Sequence, residues 1–227
     1  PAGYQAIAAG KRIKQWQQGA MTMVQYQTSA PVRNLPALVV VPWPSQQDRV
    51  GDIALEIYSP DFNAATDQVM QAMRDTLAWF EQHIGAFPGD AIRVVMTPDI
   101  GPSGYALPQL VLLDHQRTVR ASPSPEAPFS QVYRRTAHEV AHQWFGHGIG
   151  NGVTADSAFL VESITKYVEL VLIERHQGRA AMQGLVEFER QRFVQAQAGS
   201  TATAHRLVDA QEAYDQYSRA TLVFALL

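Results

Sequence analysis

Two histidines and a glutamate in the second half of the chain carry the clearest chemistry, in the run His138-Glu139-Val140-Ala141-His142. On a helix, residues four apart lie one turn apart on the same face, so both imidazoles can grip one metal ion. Glu139 then sits beside the ion without being a ligand. This H-E-x-x-H spacing is the one with which zinc and a carboxylate base direct water at an amide. Taken alone it also fits two partly exposed histidines on a surface helix. A third ligand, a helix beneath the motif and a donor for the developing oxyanion would separate the two.

Glu162 supplies a candidate third ligand. It falls near the start of a helical pattern that begins at Asp156 or Ser157, runs to residue 176 and is stopped by Gly178. A His-His-Glu set leaves the fourth tetrahedral position open for water, and two imidazoles with one carboxylate favour zinc. Read blandly, Glu162 is an acid stabilised by a helix dipole. Glu169 lies seven residues on, about two turns along the same face. It can support a ligand histidine by a hydrogen bond or pair with Lys166 or Arg175 on the helix surface. His147 is a further candidate metal contact.

These residues need a helix over 130–146 to hold them. Val132, Tyr133, Thr136, Ala137, Val140, Ala141, Trp144 and Phe145 make that segment apolar around most of its circumference, which predicts a buried helix. Gly146, Gly148, Gly150 and Gly152 then end it in a loop. In the next helix the apolar positions are Leu160, Ile164, Tyr167, Val168, Val171 and Leu172. Two more helices are expected, over 180–198 with a broad Glu/Arg/Gln face and over 209–227, joined by a polar turn at 199–203.

The first half reads differently. Residues 21–27, 35–41 and 53–58 are strand-like, and residues 4–18 fit a short helix. A helix is expected over 63–84, with Asp61 or Asn63 as N-cap, the stripe Val69, Met73, Leu77, Phe80 and Ile84, and Gly85 as stop. Strands follow at 92–97 and 110–113. Between them a loop leads into an edge-type strand containing Gly104, Tyr105 and Ala106, which could pair with an extended peptide by backbone hydrogen bonds, although the spacing alone fits an ordinary turn between strands better. Residues 118–130, with Pro123, Pro125 and Pro128, read as a surface loop. Strands first and helices later, with the metal motif on the first late helix, make an α+β fold.

The 227 residues, 46% of them hydrophobic, provide for a real core. With 18 basic against 21 acidic residues and no basic cluster, a nucleic-acid surface is not expected. The absence of cysteine excludes disulfides and thiolate zinc sites. No apolar run approaches membrane-span length, and no signal peptide is visible. The chain starts at Pro1 and stops at Leu227 inside an apolar helical pattern, which suggests a piece of a longer protein.

The run His138-Glu139-Val140-Ala141-His142-Gln143-Trp144-Phe145-Gly146 resembles the zinc motif of the aminopeptidase N family of gluzincins. Leu160-Val161-Glu162 with Lys166-Tyr167-Val168-Glu169 resembles that family's second ligand segment. Tyr214-Asp215-Gln216-Tyr217-Ser218-Arg219-Ala220 is similar to its tyrosine segment. The likeness covers about residues 50–227, and its specific part is the two zinc segments. It implies a thermolysin-like gluzincin catalytic domain over 51–227, truncated at its C-terminus, behind a strand-rich segment 1–50. It also implies one zinc ion on His138, His142 and Glu162, with Glu139 as general base and Tyr217 as oxyanion donor; by analogy with thermolysin, His205 is a rival donor. A peptide would be the substrate, with Gly104, Tyr105, Ala106 and Tyr214 lining its site.

Three departures qualify that implication. The gap between His142 and Glu162 is one residue longer than usual in the family, although thermolysin-like enzymes share it. Residues 101–110 lack the glutamate that recognises a free amino terminus, which argues against strict aminopeptidase action. Arg219-Ala220 replaces a Lys-Gly pair. With Tyr26-x-x-x-x-Pro31 and Val50-Gly51-Asp52-Ile53, these departures are similar to a branch fused to ABC-2-type transporter permeases. That branch implies a bacterial, membrane-anchored protein with this domain outside the cytoplasm. Three functions remain open: a zinc metallopeptidase, a catalytically weak zinc domain that binds peptides or partners for a transporter, or a zinc-free structural remnant.

Overall fold

The computed structural model describes residues 3–28, 37–98, 101, 103–120, 127–149, 158–198, 205–210 and 212–227. The chain divides into two compact units, Pro1–Ser122 and Pro123–Leu227. The first carries the strands and the second is helical, so the molecule is α+β with strands preceding helices. The Asp156 and Ser157 helix start and the polar turn at 199–203 lie outside the described residues.

In the first unit, strands β5 (Ser45–Val50), β6 (Ile53–Tyr58), β7 (Ala91–Thr97), β8 (Gly104–Leu107) and β9 (Leu110–Asp114) form one sheet in the order β5-β6-β7-β9-β8. The β6–β7 and β7–β9 pairs are parallel, and both outer pairs are antiparallel. β7 is buried along its whole length, as a central strand covered on both faces must be. Helix α1 (Ala64–His83) makes the β6-to-β7 crossover and buries Val69, Met73, Leu77 and Phe80, and the short helix α2 (His115–Arg120) follows β9. Its capping box pairs the Asn63 side chain with Ala65 N–H, while the Asn63 N–H donates to Thr66.

Residues 4–18 are not helical. They form β1 (Gln5–Ala8), paired with β4 (Leu38–Val41), and β2 (Lys11–Gln18), paired with β3 (Met21–Gln27). Gly10 would sit inside the expected helix, yet it holds φ +90°, and a Cβ there would lie 2.5 Å from the Gln27 carbonyl oxygen. Tertiary partners decide the rest. Arg12 reaches from β2 to the hydroxyls of Tyr26 and Tyr58 at 2.9 Å each, and to Glu56 at 3.3 Å. A helix would turn that side chain away from its partners.

The second unit is built on α3 (Gln131–Ala141), α4 (Ile164–Gln177), α5 (Arg179–Ala198) and α6 (Ala220–Phe224). A π-helical turn, Phe159–Ser163, precedes α4, and another, Asp215–Arg219, precedes α6. The motif helix is shorter than expected. The Ser130 side chain accepts from Tyr133 N–H at its start, and His142 caps its end. Gln143 and Trp144 then bond back to Val140 and Ala141 in a tightened turn, and Gly146 leaves with φ +128°. The apolar face of α3 is buried through Val132, Tyr133, Ala137, Val140 and Ala141. On the following segment Leu160 and Tyr167 are partly exposed rather than core. The last expected helix, 209–227, is broken into the short turn Leu207–Asp209, the π-helical turn and α6.

Candidate metal centre

His138 and His142 stand one turn apart at the end of α3, with ring centroids 4.7 Å apart and ring planes nearly perpendicular. Each ring has its Nδ1 bound to an acceptor. His138 Nδ1 lies 2.7 Å from Glu169 Oε1, and His142 Nδ1 lies 3.0 Å from the Phe145 carbonyl oxygen. A carbonyl oxygen or a carboxylate can only accept, so both Nδ1 atoms carry hydrogen. Both Nε2 atoms are thereby turned towards the same point, the tautomer a metal ligand requires. The tight turn after α3 serves this directly, because it swings the Phe145 carbonyl back onto His142.

Glu162 completes the group from the π-helical turn before α4. That turn closes with Ile164 N–H on the Phe159 carbonyl, one residue wider than an α-turn. The three atoms His138 Nε2, His142 Nε2 and Glu162 Oε2 stand 3.1, 3.2 and 3.6 Å from one another. Ligands about 2.0–2.1 Å from a tetrahedral zinc are separated by roughly 3.3–3.4 Å, so this triangle fits one face of that tetrahedron. Among the described residues this is the group that could hold a metal, and neither His147 nor His205 belongs to it. Both of those histidines are exposed.

The three converging groups perturb one another strongly. Burial opposes charging His138, but hydrogen bonds to Glu162 and Glu169 outweigh it and raise its pKa to about 9. Burial and the adjacent His138 push His142 down to about 4. Glu162, despite its own burial, is held down to about 2 by His138. A proton shared between His138 and the Glu162 carboxylate thus lies among the three converging atoms, while His142 stays neutral. Glu139 is buried, and burial raises its carboxyl to about 7, with the Glu162 and Glu169 charges adding to that rise.

Behind His138 lies a buried ionic cluster. Glu169 Oε2 accepts from Lys166 Nζ at 2.6 Å and Arg134 Nη1 at 2.9 Å. Both cations also reach Glu189 Oε1 on α5, at 2.9 and 3.4 Å. Lys166, Glu169 and Glu189 are each at most 1% exposed. Burial resists the charge on Glu169, yet these cations hold its carboxyl well below the usual range. Glu189 and Arg134 escape a reading of the sequence, because Glu189 sits on the charged Glu/Arg/Gln face of α5 and Arg134 beside Arg135 on α3, where a buried charge looks like a solvated one. Lys166 is also no surface partner. Its three-residue spacing from Glu169 was the available signal.

Tyr217 belongs to the second π-helical turn, which closes with Ala220 N–H on the Asp215 carbonyl. Its ring centroid is 6.0 Å from that of His138, and its hydroxyl hydrogen-bonds Glu162. Burial, and then the Glu162 charge, raise its pKa, so the phenol keeps its proton. The two π-helical turns are joined by Ser163 Oγ, which donates to the Gln216 carbonyl at 3.0 Å. Tyr214 is half-buried against Phe193 on α5, with centroids 6.0 Å apart. Gly104, Tyr105 and Ala106 lie on edge strand β8 of the first unit, paired with β9 on one side.

The Peptidase family M1 domain matches residues 68–223. The chain belongs to peptidase family M1. Among M1 relatives, human endoplasmic reticulum aminopeptidase 2 is 29% identical over 129 residues, covering 53% of this chain and 13% of that protein. An M1 zinc metallopeptidase of Deinococcus radiodurans, solved as a mutant, shares the fold with TM-score 0.67 at 20% identity over 98% of this chain and 49% of that one. The same mutant bound to a Tyr-Ser-Ala substrate gives 0.66 at 18% identity, with the same coverage of both chains. The M1 chain described here therefore spans about half the length of those structures and a smaller share of the human relative.

Proposed function

We propose that the protein to which this chain belongs is a zinc-dependent peptidase that cleaves peptide bonds with water. The convergence of His138 Nε2, His142 Nε2 and Glu162 Oε2 on one tetrahedral face carries the reading. Zinc held there supplies a Lewis acid that acidifies water and polarises a carbonyl. Glu139 takes the proton of the attacking water and hands it to the leaving amine. Its carboxyl, about 7 without metal, falls when a dication sits nearby, which leaves it a base at neutral pH. Tyr217 keeps its proton and donates it in a hydrogen bond to the carbonyl oxygen as that atom gains negative charge.

A peptide is the substrate class that the M1 membership favours, and the Tyr-Ser-Ala bound to the Deinococcus enzyme supports it. Gly104, Tyr105 and Ala106 lie on an edge strand of the first unit, the kind of element with which extended peptides pair. In the second unit Tyr214 adds apolar surface beside the Tyr217 turn. We place the domain outside the cytoplasm in a membrane-anchored bacterial protein, on the strength of its resemblance to the permease-fused branch. Among the described residues no helix is long and apolar enough to cross a membrane.

One observation favours a second reading, a zinc domain that binds peptides without efficient cleavage. Residues 101–110 contain no carboxylate to hold a free amino terminus. Peptide turnover by the zinc-loaded protein separates the two. We expect hydrolysis by the parent and a loss of about 10²–10⁴-fold in Glu139→Gln with zinc retained. Undiminished hydrolysis by that variant would overturn the mechanism, and binding without cleavage by the parent would establish the second reading.

A further inference from the structure

We infer that Glu189 on α5 is a positioning residue for both halves of the site, tying the carboxylate behind His138 to the turn that carries Tyr217. The inference rests on the zinc peptidase reading above. Glu189 is fully buried, and its two oxygens face different parts of the centre. Oε1 takes Lys166 and Arg134, the same two cations that occupy Glu169 Oε2. With Oε2 so held, Glu169 presents Oε1 to His138 Nδ1. Glu189 Oε2 accepts from Ser218 Oγ at 2.8 Å and from Arg192 at 3.3 Å.

Ser218 directly follows Tyr217 in the π-helical turn and is 1% exposed. Its hydroxyl is anchored on Glu189, whereas the Tyr217 side chain goes to Glu162 and His138. One hydrogen bond therefore fixes the rotation of the turn from behind. The path is continuous: His138, Glu169, the Lys166–Arg134 pair, Glu189, Ser218 and the backbone of Tyr217. Burying two carboxylates and two cations is a poor way to stabilise a core, because apolar residues of similar volume do as well or better. It is an effective way to fix orientation, since each oxygen is committed to a stated donor.

The test uses the whole protein with Glu189→Gln, Ser218→Ala and Ser218→Thr, each checked for folding by circular dichroism. Zinc affinity is read by chelator competition, and kcat and KM at saturating zinc. We expect Glu189→Gln to weaken zinc about tenfold and to lower kcat. Ser218→Ala should lower kcat on the order of tenfold with zinc affinity unchanged, and Ser218→Thr should restore it. A folded Glu189→Gln protein with parental zinc affinity and kcat overturns the inference. If that variant does not fold, a parental kcat in Ser218→Ala overturns it instead. Should the zinc-loaded parent cleave no peptide, the peptidase reading fails separately. The zinc affinity of Glu189→Gln then decides: tenfold weakening upholds positioning and parental affinity refutes it.

Discussion

Glu162 and Glu169 approach opposite nitrogens of one imidazole, with Glu162 Oε2 3.2 Å from His138 Nε2 and Glu169 Oε1 2.7 Å from Nδ1. The two acids are seven residues apart, but a π-helical turn holds the first and a regular helix the second. The Glu162 side chain is 23% exposed and that of Glu169 only 1%. One faces the open side of the centre and the other is sealed among cations, so their substitution has different consequences.

Glu162 is one of the three groups that converge, and Glu162→Ala should lose stoichiometric zinc binding in equilibrium dialysis. Glu169→Gln keeps the three donors but loosens His138, so zinc should still bind at one equivalent, about 10–100-fold more weakly. It also leaves Lys166 and Arg134 sharing one carboxylate in the interior. Urea unfolding should then show a loss of roughly 3–5 kcal/mol.

Zinc affinity should rise with pH between neutrality and about 9. His138 is raised to about 9 in the metal-free protein, so zinc must displace its proton throughout that window. One displaced proton corresponds to about tenfold tighter binding per pH unit. For folding, the sign runs the other way. A pKa raised from 6.5 to about 9 contributes stability that is full below 6.5 and lost as pH passes 9. Thermal unfolding without metal should therefore show His138's contribution fading over that range. Chelator titrations at several pH values give the first slope, and a flat one would contradict the charge assigned to His138.

Tyr217→Phe should separate chemistry from metal binding. The hydroxyl sits beside Glu162 but is not among the three converging donors. Loss of one donor to a developing oxyanion costs about 10²–10³-fold in kcat, with zinc affinity nearly unchanged. Comparable losses in both would show that Tyr217 acts by holding Glu162.

Gly146→Ala tests the turn that ends α3. At φ +128° an alanine is strained, and its Cβ would meet Val161 at 3.4 Å and the His142 ring at 3.7 Å. We expect a loss of about 1–3 kcal/mol in stability. Zinc binding should weaken as well, because the Phe145 carbonyl that orients His142 belongs to the same turn.

The elements legible in the sequence were those with a strong period and a local stop. Asn63, the Val69-to-Phe80 stripe and Gly85 marked α1 with little error, and residues 21–27 and 53–58 form β3 and β6 as expected, although β6 is buried on both faces rather than alternating. Residues 4–18 misled because Gly10 and Arg12 owe their conformation to Gln27, Glu56 and Tyr58, all distant in sequence. The candidate site divides in the same way. His138, Glu139 and His142 announce themselves by a four-residue spacing that helix geometry enforces. Lys166, Arg134 and Glu189 do not, since a buried charge and a solvated one look alike in a polar run.

By itself, then, the sequence determined the chemistry available: two imidazoles one turn apart, a carboxylate beside them, and acids and a tyrosine further on. It did so because helix geometry ties side-chain direction to spacing along the chain. Only the tertiary structure decided that Glu162 enters the triangle and that Glu169 takes the far side of the same ring. The two π-helical turns, one carrying Glu162 and the other Tyr217, leave no periodic mark, because each depends on packing against the other. The pairing of Glu169 and Glu189 through shared cations belongs to three helices at once. No stretch of one chain segment could have shown it.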